Sequence, residues 1–209
     1  MELLLQTESL DDYKKEIPPI IEFHIPIIQK KIQEIEESNT SLVQRAQAAF
    51  EFVRDQIKHS FDTQSPKVTI NAAEVLSTHE GICFAKSHLL ATLLRGMNIP
   101  TGFCYQKVVR KNTPESGFAL HGLNAIYLKE TGWRRLDPRG NKPGINSQFN
   151  LKEEQLAYPI RKEWGEIDYP YIFTEPLKSV TDAMLQSKTS QELFYNRPEG
   201  LTKSETDFH

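Results

Sequence analysis

The chain has 209 residues, enough for one domain with a sizeable core and a terminal extension. A formal charge of -3 argues against nucleic acid or an anionic membrane as partner, and no apolar run approaches the roughly 18 residues of a membrane span. Two cysteines do not make a disulfide scaffold. With no basic, apolar leader in Met1–Leu10, a cytoplasmic protein with free thiols is expected.

The leucines at 3 to 5 fit a short strand or a helical start. From Ile20 to Glu37, isoleucines at 21, 25, 28, 32 and 35 repeat at helical spacing. Pro26 kinks this helix or marks its true start. Ser41 is an N-cap candidate for a second helix reaching about Lys58, with Leu42, Ala46, Ala49, Phe50, Val53 and Ile57 on one face. Asn71 caps a short helix over 72–76, and 78–81 reads as a turn. Residues 83–97 are the most strongly helical stretch, with a broad apolar face from Leu89 to Met97, stopped by Asn98-Ile99-Pro100. The period then changes to two: strands are expected at 102–110 and 120–128. A Thr131-Gly132 hairpin turn leads to a third strand at 133–136, and Asp137–Asn141 leaves it as a loop. Residues 148–156 fit a strand or a turn, 176–187 a helix, and the polar end from about Asn196 a frayed tail. Helices followed by an antiparallel sheet make an α+β architecture. The expected division is an N-terminal helical extension (1–40), a core (41–175), and a C-terminal helix with a flexible tail (176–209).

Cys83 sits in the first turn of the strongest helix. Free backbone N–H groups and the helix dipole there favour a thiolate and can hold an oxyanion. The plainer reading is a small buried apolar residue; Gly81 weighs against it by permitting a tight helix entry and close substrate approach. His121 lies at the mouth of a predicted strand, placed to reach a helix N-terminus. Asp137 ends the next strand, where it either orients His121 or simply forms a turn before Pro138. Nucleophile, base and orienter are the roles of Cys-dependent acyl transfer.

The segment Gly81-Ile82-Cys83, the helix end Leu93-Leu94-Arg95-Gly96-Met97-Asn98-Ile99-Pro100, the His121 strand, and Gly132-Trp133 leading to Leu136-Asp137-Pro138 together resemble the transglutaminase-like superfamily. The resemblance covers roughly residues 45 to 140. It implies a papain-like, transglutaminase-core fold with N-terminal helices packed on an antiparallel sheet. Carried over by position, Cys83 is the nucleophile, His121 the base and Asp137 the orienter. Phe84-Ala85-Lys86 stands where the family often has an acid, Asn98 where it has glycine, and Gly122-Leu123 where an aromatic follows the histidine. The family's side-chain oxyanion donor has no plain match; Gln56, His59 and Trp133 are the candidates for oxyanion or substrate contact.

His79, Cys83, His88 and His121 contain no Cys-x-x-Cys or His-Glu-x-x-His pattern, so no metal or other cofactor is expected. Cys104 reads as a bystander in the core or near the site. Arg134, Arg135, Arg139 and Lys142 surround Asp137 as a solvated edge or, as the sharper reading, a site for an acidic substrate group. Aromatic residues from Trp133 to Phe173 pack a C-terminal lobe or wall a cleft. The expected function is acyl transfer on a peptide bond or glutamine carboxamide through a thioester, with hydrolysis favoured over transamidation. A protein or peptide is the expected partner. A catalytically silent binding module on the same fold and an arylamine-type acyltransferase are the alternatives.

Overall fold

The computed structural model describes residues 1–208. A two-residue strand, β1 (Leu4–Leu5), and a 3-10 turn at Asp12–Lys14 precede the first helix, α1 (Pro26–Ser38). Pro26 occupies the first helical turn, where a missing N–H costs nothing. The helix therefore starts six residues later than the isoleucine spacing implies, and Ile17 pairs with Ile21 in an isolated bridge instead. Helix α2 (Leu42–Gln56) starts at Ser41, whose side chain and that of Gln44 form a reciprocal capping box. A short strand, β2 (Lys58–His59), and a one-turn helix, α3 (Ser60–Thr63), come next. Helix α4 (Ala72–Thr78) has a second capping box, from Asn71 and Glu74. The turn expected at 78–81 contains strand β3 (Glu80–Gly81), which pairs in parallel with β2 and sets His59 opposite Gly81.

Helix α5 (Cys83–Gly96) is the centre of the molecule. Every residue from Cys83 to Arg95 is buried, where the apolar pattern implied one broad face. Its polar residues survive burial because most of them end on backbone carbonyls. Lys86 Nζ donates to Arg54 O and Ile57 O, at 3.2 and 2.5 Å. His88 Nδ1 meets Ile70 O at 2.7 Å. Arg95 donates to the carbonyls of Thr101, Lys15 and Thr174. The helix ends in a Schellman motif: Ile99 N–H donates to Leu94 O and Asn98 N–H to Arg95 O, both at 2.9 Å. That geometry requires Asn98 in the left-handed region, at φ +60°. Asparagine tolerates this conformation best after glycine.

The main sheet is antiparallel and four-stranded. It consists of β4 (Thr101–Val109), β5 (Phe118–Leu128), β6 (Gly132–Leu136) and the short β7 (Ile167–Asp168), in the order β6-β5-β4-β7. Strand β8 (Tyr171–Ile172) pairs in parallel with β1. Residues 148–156 are a loop with one bridge, Gln148 to Gln155. Helices α6 (Lys178–Gln186), α7 (Ser190–Asn196) and α8 (Lys203–Thr206) follow. The segment after Asn196, expected to fray, is packed: Leu120 N–H donates to Pro198 O at 2.7 Å, and Arg197 is buried.

Helix α5 packs against β4 and β5 on one side and against α1, α2 and α4 on the others. A second, smaller apolar cluster joins Tyr13, Cys104, Leu123, Ala125 and Ile172, with Trp133 against it. The fold is thus α+β: α5 packs on the antiparallel sheet, and the N-terminal helices α1, α2 and α4 pack around α5 and not directly on the sheet. No helix among the described residues is long and apolar enough to cross a membrane. Because Asn98 holds a left-handed turn, Asn98→Gly should keep or raise the Tm, and Asn98→Val should lower stability by about 1–2 kcal/mol. Thermal or urea denaturation of the two variants measures this.

Candidate active site

Cys83 is the first residue of α5. Three local features put it there. Gly81 allows the chain to enter closely, since a Cβ at that position would stand 2.9 Å from Ala85 Cβ and 3.2 Å from Thr69 Oγ1. The β2–β3 pairing fixes the approach. Unlike α2 and α4, the helix has no side-chain cap, Ile82 being its N-cap residue. Its first N–H groups are therefore not taken by a capping side chain. Gly122 on β5 lets the strand lie against this helix end, as a Cβ there would overlap the Phe84 ring at 2.6 Å.

His121 on β5 and Asp137, just past β6, meet beside Cys83. His121 Nε2 lies 2.8 Å from Asp137 Oδ2. Cys83 and His121 are each 2% exposed, and Asp137 is fully buried. Asp137 also accepts N–H bonds from Ala157 at 3.0 Å and Arg139 at 3.1 Å. Burial alone would raise its pKa; the His121 charge, with these bonds, holds it below the usual carboxylate range. Burial opposes a charged imidazole in the same way, yet Asp137 and Cys83 together raise His121 to about 9. Burial likewise opposes a Cys83 thiolate. The His121 charge and hydrogen bond outweigh it, aided by the Arg197 charge and the Gly122 N–H, so the thiol lies below its ordinary value. The result favours a thiolate–imidazolium pair.

A brace keeps the imidazole in place. The Tyr158 ring stands edge-on to His121, with centroids 4.8 Å apart. Tyr158 OH accepts from Arg139 Nε at 2.9 Å, and the Arg139 guanidinium grips Asp62 through two bonds of 2.5 and 2.9 Å. Lys142 adds a second cation to Asp62, at 2.6 Å.

Cys83 and His121 open on a cleft of about 600 Å³ that is also lined by His59, Tyr158, Phe194 and Arg197. His59 is 7% exposed and its Nδ1 has no hydrogen-bond partner. Burial and the Arg139 charge hold its pKa well below the ordinary value, so it is neutral. Gln56 is exposed at the end of α2, and Trp133 packs its ring on Tyr13 and Tyr127. Neither lines the cleft. Cys104 lies in the second apolar cluster, where burial pushes its thiol up to about 12, and both cysteines are free.

The basic cluster around Asp137 is a solvated edge only in part: Lys142 is exposed and Arg134 half-buried. Arg135 and Arg139 are buried, Arg135 between Glu154 and Asp168 and Arg139 on Asp62. Among the described residues, no three of His, Cys, Asp and Glu are placed to hold a metal ion. Sequence reasoning missed Asp62 and Arg197, which lie in segments with no repeating pattern. The aromatic run did include Tyr158, without its position beside His121.

A model of the transglutaminase-like superfamily matches residues 29–138. No curated protein matches the chain. Among solved structures, the periplasmic domain of TgpA from Pseudomonas aeruginosa is similar at 16% identity, with a TM-score of 0.47, over 64% of this chain and 48% of that one. A crystal structure of a TGase is similar at 16% identity, with a TM-score of 0.43, over 84% of this chain and 51% of that one. The chain spans about half the length of these structures. The family match runs from α1 to Pro138 and takes in Cys83, His121 and Asp137, over more than half of the sequence: the chain belongs to the transglutaminase-like superfamily.

Proposed function

We propose that this protein is a thiol-dependent acyl-transfer enzyme that acts on peptide bonds or glutamine carboxamides through a Cys83 thioester, with water as the favoured acceptor. The observation that carries the reading is the buried Cys83–His121–Asp137 arrangement at an uncapped helix N-terminus beside a cleft. Nε2–H of His121 donates to Asp137, which leaves Nδ1 for the cysteine. The thiolate attacks the carbonyl carbon and forms an S–C bond, and the carbonyl π pair moves to oxygen. Collapse of that oxyanion expels the amine or ammonia, which takes the proton from His121 Nδ1. Water then attacks the thioester, giving a proton to Nδ1. The C–S bond breaks, the acid leaves, and the thiolate–imidazolium pair is restored.

The oxyanion needs donors where charge develops. The free N–H groups at the start of α5 supply one set. His59 supplies a side-chain donor: it is neutral, buried, opposite Gly81 and on the cleft wall. A neutral imidazole carries one N–H to give. Water is favoured as acceptor because it is always present at the thioester.

The Cys83 alkylation rate should rise to its plateau below the reference thiol pKa of about 8.5, while Cys104 stays inert. His121→Ala should move that rise toward higher pH. Iodoacetamide kinetics with peptide mapping reads both; equal, slow reaction of the two thiols would favour the binding-module alternative. Cys83→Ala should abolish turnover of glutamine-containing peptides, scored by mass spectrometry as cleavage or conversion of glutamine to glutamate, with little loss of Tm. His59→Ala should lower kcat by about 100-fold with KM nearly unchanged, as for loss of one oxyanion donor.

A further inference from the structure

Among the described residues, Arg197 is the one cleft arginine with no carboxylate partner. Arg139 is held by Asp62, Arg161 by Glu166, and Arg110 by the carbonyls of Phe194 and Arg197 and by Glu199. Arg197 is 8% exposed. Among the described residues, no carboxylate pairs with it, and its guanidinium makes one long bond, from Nε to Phe194 O at 3.4 Å. It sits over the rings of Phe61 and Phe194, with its central carbon 5.0 and 4.9 Å from their centroids. The two rings lie on one side of the guanidinium, their own centroids 5.2 Å apart, and among the described residues its two terminal nitrogens make no hydrogen bond. The guanidinium lies near enough to Cys83 to draw its pKa down, and it lines the same cleft.

The position is built. Helix α7 ends at Asn196, and Arg197 N–H still bonds Leu193 O at 3.0 Å. Arg110 clamps the backbone on both sides of the turn through Phe194 O and Arg197 O, at 2.6 and 3.2 Å. Pro198 O accepts from Leu120, the residue before His121. A buried cation with no carboxylate partner is costly, and an anionic ligand in the cleft would offset that cost. The free edge of one guanidinium matches one planar, singly charged carboxylate through two parallel bonds.

We propose that Arg197 binds a carboxylate of the substrate, so that the amide attacked by Cys83 carries an acidic group a few bonds from its carbonyl. The carboxylate is an acidic side chain next to the scissile amide or a free C-terminal α-carboxylate on the leaving side. This rests on the acyl-transfer reading and narrows it to acidic peptides.

The test compares iodoacetate with iodoacetamide at Cys83. The two reagents share the same thiolate, so the ratio of their rates cancels any change in thiol ionisation. Arg197→Gln should lower the iodoacetate-to-iodoacetamide ratio by about tenfold, the loss of a charge-assisted contact, and Arg197→Lys by less. An unchanged ratio with fast iodoacetamide reaction overturns the Arg197 assignment alone. Slow iodoacetamide reaction in the wild type tells against the nucleophile itself. Protection of the wild-type thiol needs no variant to fold. N-acetyl-Ala-Asp-amide is set against N-acetyl-Ala-Asn-amide, and N-acetyl-Ala-Gly against its amide. The acidic member of one pair should protect at several-fold lower concentration, and the pair that responds identifies the source. Equal protection within both pairs overturns the proposal.

Discussion

A helix buried on every side must place its polar side chains and hold both its ends without water, and α5 shows how this is done. Arg95 gives its guanidinium hydrogens to three carbonyls from the N-terminal segment, the start of β4 and the residues after β8. Lys86 ties two carbonyls at the end of α2. Each bond from a charged donor contributes about 1.5–3 kcal/mol, and each buried carbonyl left alone costs about 1–3 kcal/mol. These side chains therefore act as struts between the helix and otherwise unconnected loops. Burial still tells on them: it pushes Lys86 down to about 7 and Arg95 to about 10. The helix axis is fixed by these struts, and so is the point in space where Cys83 stands.

The second constraint is the Asp137 charge. A fully buried carboxylate is expensive unless its oxygens are occupied. Two backbone N–H groups and His121 occupy them, and Ser147 Oγ holds the Asp137 carbonyl at 2.6 Å. The carboxylate in turn makes a charged imidazole tolerable in an apolar setting, and the imidazolium makes a thiolate tolerable at α5. Each charge is stable only while the next is present. The Tyr158–Arg139–Asp62 chain adds no charge to this sequence; it limits ring motion from the side.

The longer helices α1, α2, α5 and α6, the short α4 and the strands β4, β5 and β6 were legible because apolar period and capping chemistry act over a few residues, while the short α3, α7 and α8 were not. Ser41 and Asn71 cap α2 and α4 as their side chains dictate. The departure at Asn98 has a local reason, a left-handed turn, and that at Gly122 a distant one, the closeness of Phe84 on α5. Cys83, His121 and Asp137 were recognisable because helix start, strand and strand end come in a fixed order. What stayed hidden depends on distant partners. Two-residue strands such as β7 and β8 carry no periodicity. Nothing in the sequence near Gln56 or Trp133 reveals that one faces solvent and the other packs on Tyr13. The buried state of Arg135 and Arg139 depends on Glu154, Asp168 and Asp62, acids that lie many residues away.

The C-terminal segment shows why composition is a poor guide to such a region. Its polar sequence resembles a loose end, yet it wedges between α3 and the start of β5. Phe194 packs edge-on against Phe61, at 5.2 Å between centroids. Ser190 ties to the carbonyls of Ser65 and Pro66, and Pro198 to Leu120. The cleft is thus walled by residues from α3, from the loop after β6 and from the turn after α7, stretches that meet only in the folded chain. Displacing residues 197–208 would take Arg197 out of the cleft and break the Leu120–Pro198 bond beside His121, without touching any strut of α5. Site geometry at Cys83 and cleft chemistry at Arg197 are therefore set by separate parts of the fold, so the polarity of the cleft can change while the thiol stays in place.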